Sequence, residues 1–170
     1  GFTTAGVIDV YFIPYAMACG FTLLEGSVAY GAHGLGNLAG VILFSWMADH
    51  VHRPRLLAGM FFLRALTFVL LLFIAGDISV MFTFAVIFGI LNFATFPVIA
   101  NIVATHISVR IIGLTLGLLF GVHSLGAAVG VSIGGWMFDL TAQYGWIWWL
   151  SVVLAALAGI FAILVKEIRP

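Results

Sequence analysis

Five side chains stand out because they are polar or ionisable within long apolar runs: Asp9, Arg64, Asn92, Thr95 and His123. Such groups are costly at membrane depth, which makes them candidates for function. Asp9 lies about ten residues before the end of its run, roughly 15 Å down at 1.5 Å per residue. A carboxylate there trades a proton, pairs with a cation, or stays neutral and serves packing. His123 stands 13 residues from Arg110 and 16 from Asp139, on the face of Gly126 and Gly130. Its ring shuttles protons or holds a ligand across a groove without side chains, or it fills space that glycine leaves. Arg64, nine residues and roughly 13 Å beyond Arg55, clamps an anion, forms an ion pair with a buried acid, or snorkels to the near face.

Asn92 and Thr95 share a helix face just before Pro97, and Asp9 and Tyr11 stand similarly before Pro14. Proline frees a carbonyl and bends a helix, which is tolerated where backbone lines a cavity. Two interrupted helices with polar residues at mid-depth point to a binding site, or else to kinks that serve only packing.

The elements that carry these residues follow from composition. Of 170 residues 64% are hydrophobic and 7% charged, with mean hydropathy +1.27. A soluble domain averages roughly 25% charged residues, so the solvent for this fold is a lipid bilayer. Net charge is zero with neutral histidine, which gives a nucleic-acid partner no electrostatic support. One cysteine, Cys19, excludes an internal disulfide and a four-thiolate metal site. His50 and His52 alone are too few for a metal centre, and no cofactor-binding pattern is present.

A spanning helix needs about 20 mainly apolar residues. Six such stretches are expected, over about residues 2–19, 26–48, 56–75, 78–103, 111–138 and 144–165, the fourth interrupted by Pro97. The breaks between them are short, so the helices form an antiparallel bundle in one transmembrane domain. Arg53, Arg55, Arg110, Lys166 and Arg169, five of the six Lys and Arg residues, fall on one side. The positive-inside rule makes that side and the C-terminus cytoplasmic. The opening GFTTAG, apolar and without Met, leads us to expect a piece of a longer chain. Glycines 113, 117 and 121, then 126, 130 and 134, mark two faces of the fifth stretch for close helix packing; Gly36 and Gly40 repeat the device on the second.

The most polar segment is SWMADHVHRPR, residues 45–55. Its pattern Ser45-x3-Asp49-x3-Arg53-x-Arg55 resembles the loop motif Gly-x3-Asp-Arg/Lys-x-Gly-Arg-x-Arg/Lys of the major facilitator superfamily. Ser45 stands for the first glycine, His50 for the basic residue and His52 for the second glycine. FIPYAMACGFTLLEGSVAYGAHGLGNLAGV, NFATFPVIANIV and GLTLGLLFGVHSLGAAVGVSIGGWMFDLTAQYGW look like the first, second, fourth and fifth helices of the C-terminal half in monocarboxylate-type members.

The resemblance implies an all-α membrane fold: half of a twelve-helix transporter, built as a three-plus-three inverted repeat. The first and fourth helices of such a half line the substrate cavity, which would put Asp9, Asn92 and Thr95 on it. The third is peripheral, which argues against Arg64 as a substrate ligand. Asp49, at the disfavoured end of its helix dipole, would seek a helix N-terminus or an arginine and form a conformational latch with Arg53 and Arg55. A purely topogenic loop is the alternative.

The expected function is secondary transport of a small organic solute, a monocarboxylate-like anion moved with a proton through Asp9 or His123. The expected partners are that solute, H+, the bilayer and a missing N-terminal six-helix half. The competing reading is a six-helix module that transports nothing alone. A channel lacks a filter sequence or ring of charges, and an intramembrane enzyme lacks a nucleophile–base spacing.

Overall fold

The computed structural model describes residues 1–74 and 76–166; Ala75, expected to end the third stretch, and Arg169 lie outside these. The described residues fold into helices joined by short turns. A π-wound segment (Phe2–Ile8) runs directly into α1 (Asp9–Ala18); α2 (Leu23–His50), α3 (Arg53–Leu71), α4 (Ile78–Asn92), α5 (Thr95–His106), α6 (Ile112–Thr141) and α7 (Gly145–Leu164) come after it. Among the described residues five stretches are long and apolar enough to cross a membrane, α4 and α5 together counting as one; Phe2–Ala18 is a shorter apolar helix.

Local chemistry explains where the helices begin. Thr22 and Glu25 form a capping box: Thr22 N–H donates to Glu25 Oε2 at 2.8 Å, and Glu25 N–H donates to Thr22 Oγ1 at 3.2 Å. That starts α2 at Leu23, before the expected residue 26. Pro54, in the first turn of α3, lacks only an N–H that no helix start uses, so α3 begins at Arg53 instead of residue 56. Asp77 caps α4 by accepting from Ser79 N–H at 2.8 Å.

The fourth stretch breaks at Phe93 and Ala94, ahead of the expected point at Pro97. The proline ring has no N–H for the carbonyl four residues back and crowds it, so the fault appears at Phe93. Phe93 O turns instead to Phe96 N–H at 3.0 Å.

The closest packing pairs are the first helix with α6, α2 with α4, and α3 with α7. Exchanging the first three spans for the last three turns the first pair into the second and leaves the third unchanged. This is the packing signature of a three-plus-three repeat. Two apolar layers fill the bundle. One centres on Phe12, Phe68, Phe84, Phe88 and Trp148, the other on Leu57, Met60, Leu91 and Val98. Along α3 and α4 the polar residues Arg64 and Asn92 fall at the boundary between them.

A polar cavity at a helix break

The break between α4 and α5 exposes backbone that has to be satisfied. The last carbonyls of a helix lack intrahelical donors. Arg64, on α3 and only 4% exposed, supplies them: Nη2 donates to Leu91 O at 2.6 Å and to Asn92 O at 2.9 Å. Its cation also complements the negative end of the α4 dipole. Thr95 Oγ1 donates to Asn92 O at 3.1 Å, and Asn37 Oδ1 accepts from Phe93 N–H at 3.2 Å. On the α2 side, His33 Nε2 lies 3.2 Å from Asn92 Nδ2. The break is thus a polar hub fed from three helices.

Arg64, Asn92, Thr95 and His123 line one cavity of about 400 Å³, with Thr3 and Thr4 of the first helix and apolar side chains such as Phe61, Phe96 and Ile99. Among the described residues no carboxylate pairs with Arg64, and its Nε is buried without a partner. Of the three readings open for Arg64, the ion pair has no partner among the described residues; the guanidinium meets instead the two backbone carbonyls and the faces of Phe61 and Phe88, at 5.4 and 5.8 Å. The peripheral position implied for the third helix does not hold for this side chain: it reaches inward, drawn by the unsatisfied carbonyls.

His123 meets Phe96 edge-on, with ring centroids 5.2 Å apart. It also borders a second, mainly apolar cavity of about 290 Å³ between α5 and α6. The bare groove expected beside it is occupied, because the backbone of the first helix lies against Gly126 and Gly130.

Asp9 lies apart from the cavity. It is exposed, and its Oδ1 accepts the Tyr30 hydroxyl at 3.1 Å. The reason is the π winding before it. Gly6 N–H bonds Gly1 O and Asp9 N–H bonds Thr4 O, five residues back in each case. An extra residue per turn rotates the remainder of the helix by about 100° from an α-helical reading. Thr3 and Thr4 take the cavity face in its place.

In the loop, Asp49 Oδ1 accepts from Asn101 Nδ2 on α5 at 3.2 Å, which ties the end of α2 to α5. Arg53 Nε donates to Ala48 O at 3.2 Å, and Arg55 is exposed. His106 Nε2 lies 2.8 Å from Lys166 O, so the tail is held at the same end of the bundle.

The sequence reading missed His33, Asn37, Thr3 and Thr4. The signal for the first two was present: polar residues four apart in the middle of α2, beside Gly36 and Gly40.

A helical bundle of long apolar spans with a three-plus-three packing pattern and a polar cavity at a broken helix defines an integral membrane protein. The family model described as Major Facilitator Superfamily matches residues 2–170, and the chain belongs to that family. It is 28% identical over 162 residues to "Uncharacterized MFS-type transporter YcxA" of Bacillus subtilis (strain 168), covering 92% of this chain and 39% of that protein. It is 26% identical over 139 residues to "Monocarboxylate transporter 12" of Xenopus laevis, covering 79% of this chain and 30% of that one. The chain therefore spans about a third of the length of these relatives.

Proposed function

We propose that this chain is the C-terminal half of a secondary carrier that moves a small organic anion, of the monocarboxylate kind, together with a proton. The observation that carries the reading is Arg64: a buried guanidinium on the cavity wall, with no carboxylate partner among the described residues. A buried cation without a counter-charge is costly, and an anion entering the cavity relieves it. The planar fork suits a carboxylate, and the apolar walls suit a short hydrocarbon body. One relative's name, Monocarboxylate transporter 12, points the same way.

In this scheme Arg64 anchors the anion, Asn92 and Thr95 orient it, and His123 takes a proton at the cavity edge. Asp9 contributes through Tyr30, outside the cavity. The apolar faces of α2 and α6, with Leu35, Leu38, Leu118 and Leu125 all well exposed, are covered by lipid and by an N-terminal six-helix half. Without that half, alternating access has nothing to rock against, and this half alone moves nothing. The end carrying Arg53, Arg55, Arg110 and Lys166 faces the cytoplasm of a cell-membrane protein. There the Asp49–Asn101 contact, with Arg53 and Arg55 beside it, latches α2 to α5 in one state.

The test is uptake by the full-length protein in proteoliposomes under an imposed pH gradient. Accumulation of a labelled small monocarboxylate is expected, and its loss in Arg64→Gln. Uptake that survives collapse of the gradient removes the proton; no uptake from a panel of carboxylates removes the anion.

A further inference from the structure

His33 is buried at the α2–α4 contact, 4% exposed, and the transport scheme gives it no task. Its ring is stacked between Tyr30, at 5.2 Å and 23°, and Phe88, at 5.8 Å and 27°. Nε2 faces the side-chain nitrogen of Asn92 at 3.2 Å. Two nitrogens at that distance bond only if one offers a lone pair. With the amide nitrogen turned to the ring it can only donate, so this arrangement fits the neutral imidazole that carries its proton on Nδ1. A second proton makes Nε2 a donor, and the Asn92 amide has to turn over to present its oxygen. The same heavy-atom positions serve both states.

We propose that His33 is an intramembrane proton site whose charge reaches the anion cavity through Asn92. This rests on the anion reading of that cavity. Asn92 is the last residue of α4; its side chain meets His33 while its carbonyl holds Arg64 at 2.9 Å and Thr95 at 3.1 Å.

The groups facing His33 set the sign of the effect. Tyr30, on its own helix, donates its hydroxyl to Asp9 on α1, which places one carboxylate at second hand. From α1 and the π-wound segment come the apolar Phe12 and Ile8, and from α4 come Phe84, Ala85 and Phe88. The nearest charge beyond Asn92 is the Arg64 cation on α3. Protonated His33 therefore adds a second positive charge beside the break. With Asp9 only partly compensating it, the excess is relieved when an anion enters the cavity. Proton and anion then favour each other's binding by the same factor, as linkage requires. That reciprocity is what a symporter needs.

The experiment uses the full-length protein in lipid nanodiscs with pyruvate as probe. Native affinity is expected to rise at least about fivefold from pH 8 to pH 6, the lower end of ordinary allosteric coupling. His33→Gln, which keeps a hydrogen-bonding partner for Asn92 but cannot titrate, is expected to flatten that profile. Asn92→Asp, which always offers His33 an acceptor, is expected to move the profile to higher pH. A native-like profile in His33→Gln overturns the proposal, and flattening by His123→Gln alone assigns the proton to His123. If native protein binds no pyruvate at any pH, the anion reading falls, and nitrogen NMR of the labelled His33 ring still decides its own role. A ring that titrates between pH 5 and 8, with a midpoint displaced in Asn92→Asp, supports the proton site; a ring that stays neutral overturns it.

Discussion

At the α2–α4 joint, Gly36, Gly40 and Gly89 bring two backbones into contact: a side chain on Gly40 would strike Ile90 O, and one on Gly89 would strike His33 O. At the joint between the first helix and α6, Gly126 and Gly130 do the same, with Phe2 O 2.8 Å from where a Gly130 side chain would begin. The repeat pattern makes these joints counterparts, yet their chemistry differs. The first contains His33, Asn37 and Asn92 and borders Arg64; in the second Tyr11 Oη donates to Val131 O at 2.6 Å. Close packing is shared, but the buried Arg64 guanidinium holds carbonyls of the first joint alone. The lesson is that small residues set how near two helices come, while the polar residues set whether the contact can respond to a proton.

Breaking the joints outright gives the largest effect. Gly40→Leu and Gly130→Leu each force backbones apart, at a cost of about 3 kcal/mol or more in thermal unfolding of the full-length protein. The milder Gly40→Ala is expected to disturb the pH dependence of anion binding as well, and Gly130→Ala to leave its shape intact. An identical effect on the profile would erase the distinction.

Arg64→Gln comes next. It strips the donors from Leu91 O and Asn92 O, costing about 1–3 kcal/mol, and removes the cavity's cation, so anion uptake is lost even where folding survives. Arg64→Lys keeps charge without the fork and is expected to retain part of the stability and little of the uptake.

Tyr11→Phe deletes the hydrogen bond from Tyr11 to Val131 O at the other joint. About 1 kcal/mol of stability is expected to go, with the pH profile of binding unmoved. The smallest effect belongs to Gly117→Leu. Apart from its own helix backbone, no atom of the described residues lies within 4 Å of where that side chain would begin, so stability should change by less than about 0.5 kcal/mol. In the full-length protein the same change is expected to reduce the proposed uptake through contact with the proposed N-terminal half; unchanged uptake would leave that glycine face to lipid.

Much of the architecture could be read directly from residue patterns. Long apolar stretches, the capping pair Thr22 and Glu25, Pro54 beside Arg53, and glycines four apart all act within one helix, where spacing alone sets geometry. Asn92, Thr95 and His123 drew notice because polar groups in an apolar run are costly wherever they end up. Asp9 drew notice for the same reason and lies elsewhere. Counting at 3.6 residues per turn cannot foresee a π-wound turn, which depends on how the first helix beds against α6.

The amino-acid sequence by itself determined that the chain lives in a bilayer, that its helices alternate in direction, and that Arg53, Arg55, Arg110 and Lys166 fall at one end. Hydrophobicity and chain length leave no other solution. Only the tertiary structure decided which glycine triplet meets a neighbour: 126, 130 and 134 are covered, while 113, 117 and 121 face open space. It alone turned Arg64 inward to a helix break and set His33 against Asn92. Both depend on residues far apart in the chain, 28 positions for Arg64 with Asn92 and 59 for His33 with Asn92. No local pattern encodes such a meeting. It follows from the need to satisfy every buried carbonyl and cation where water cannot.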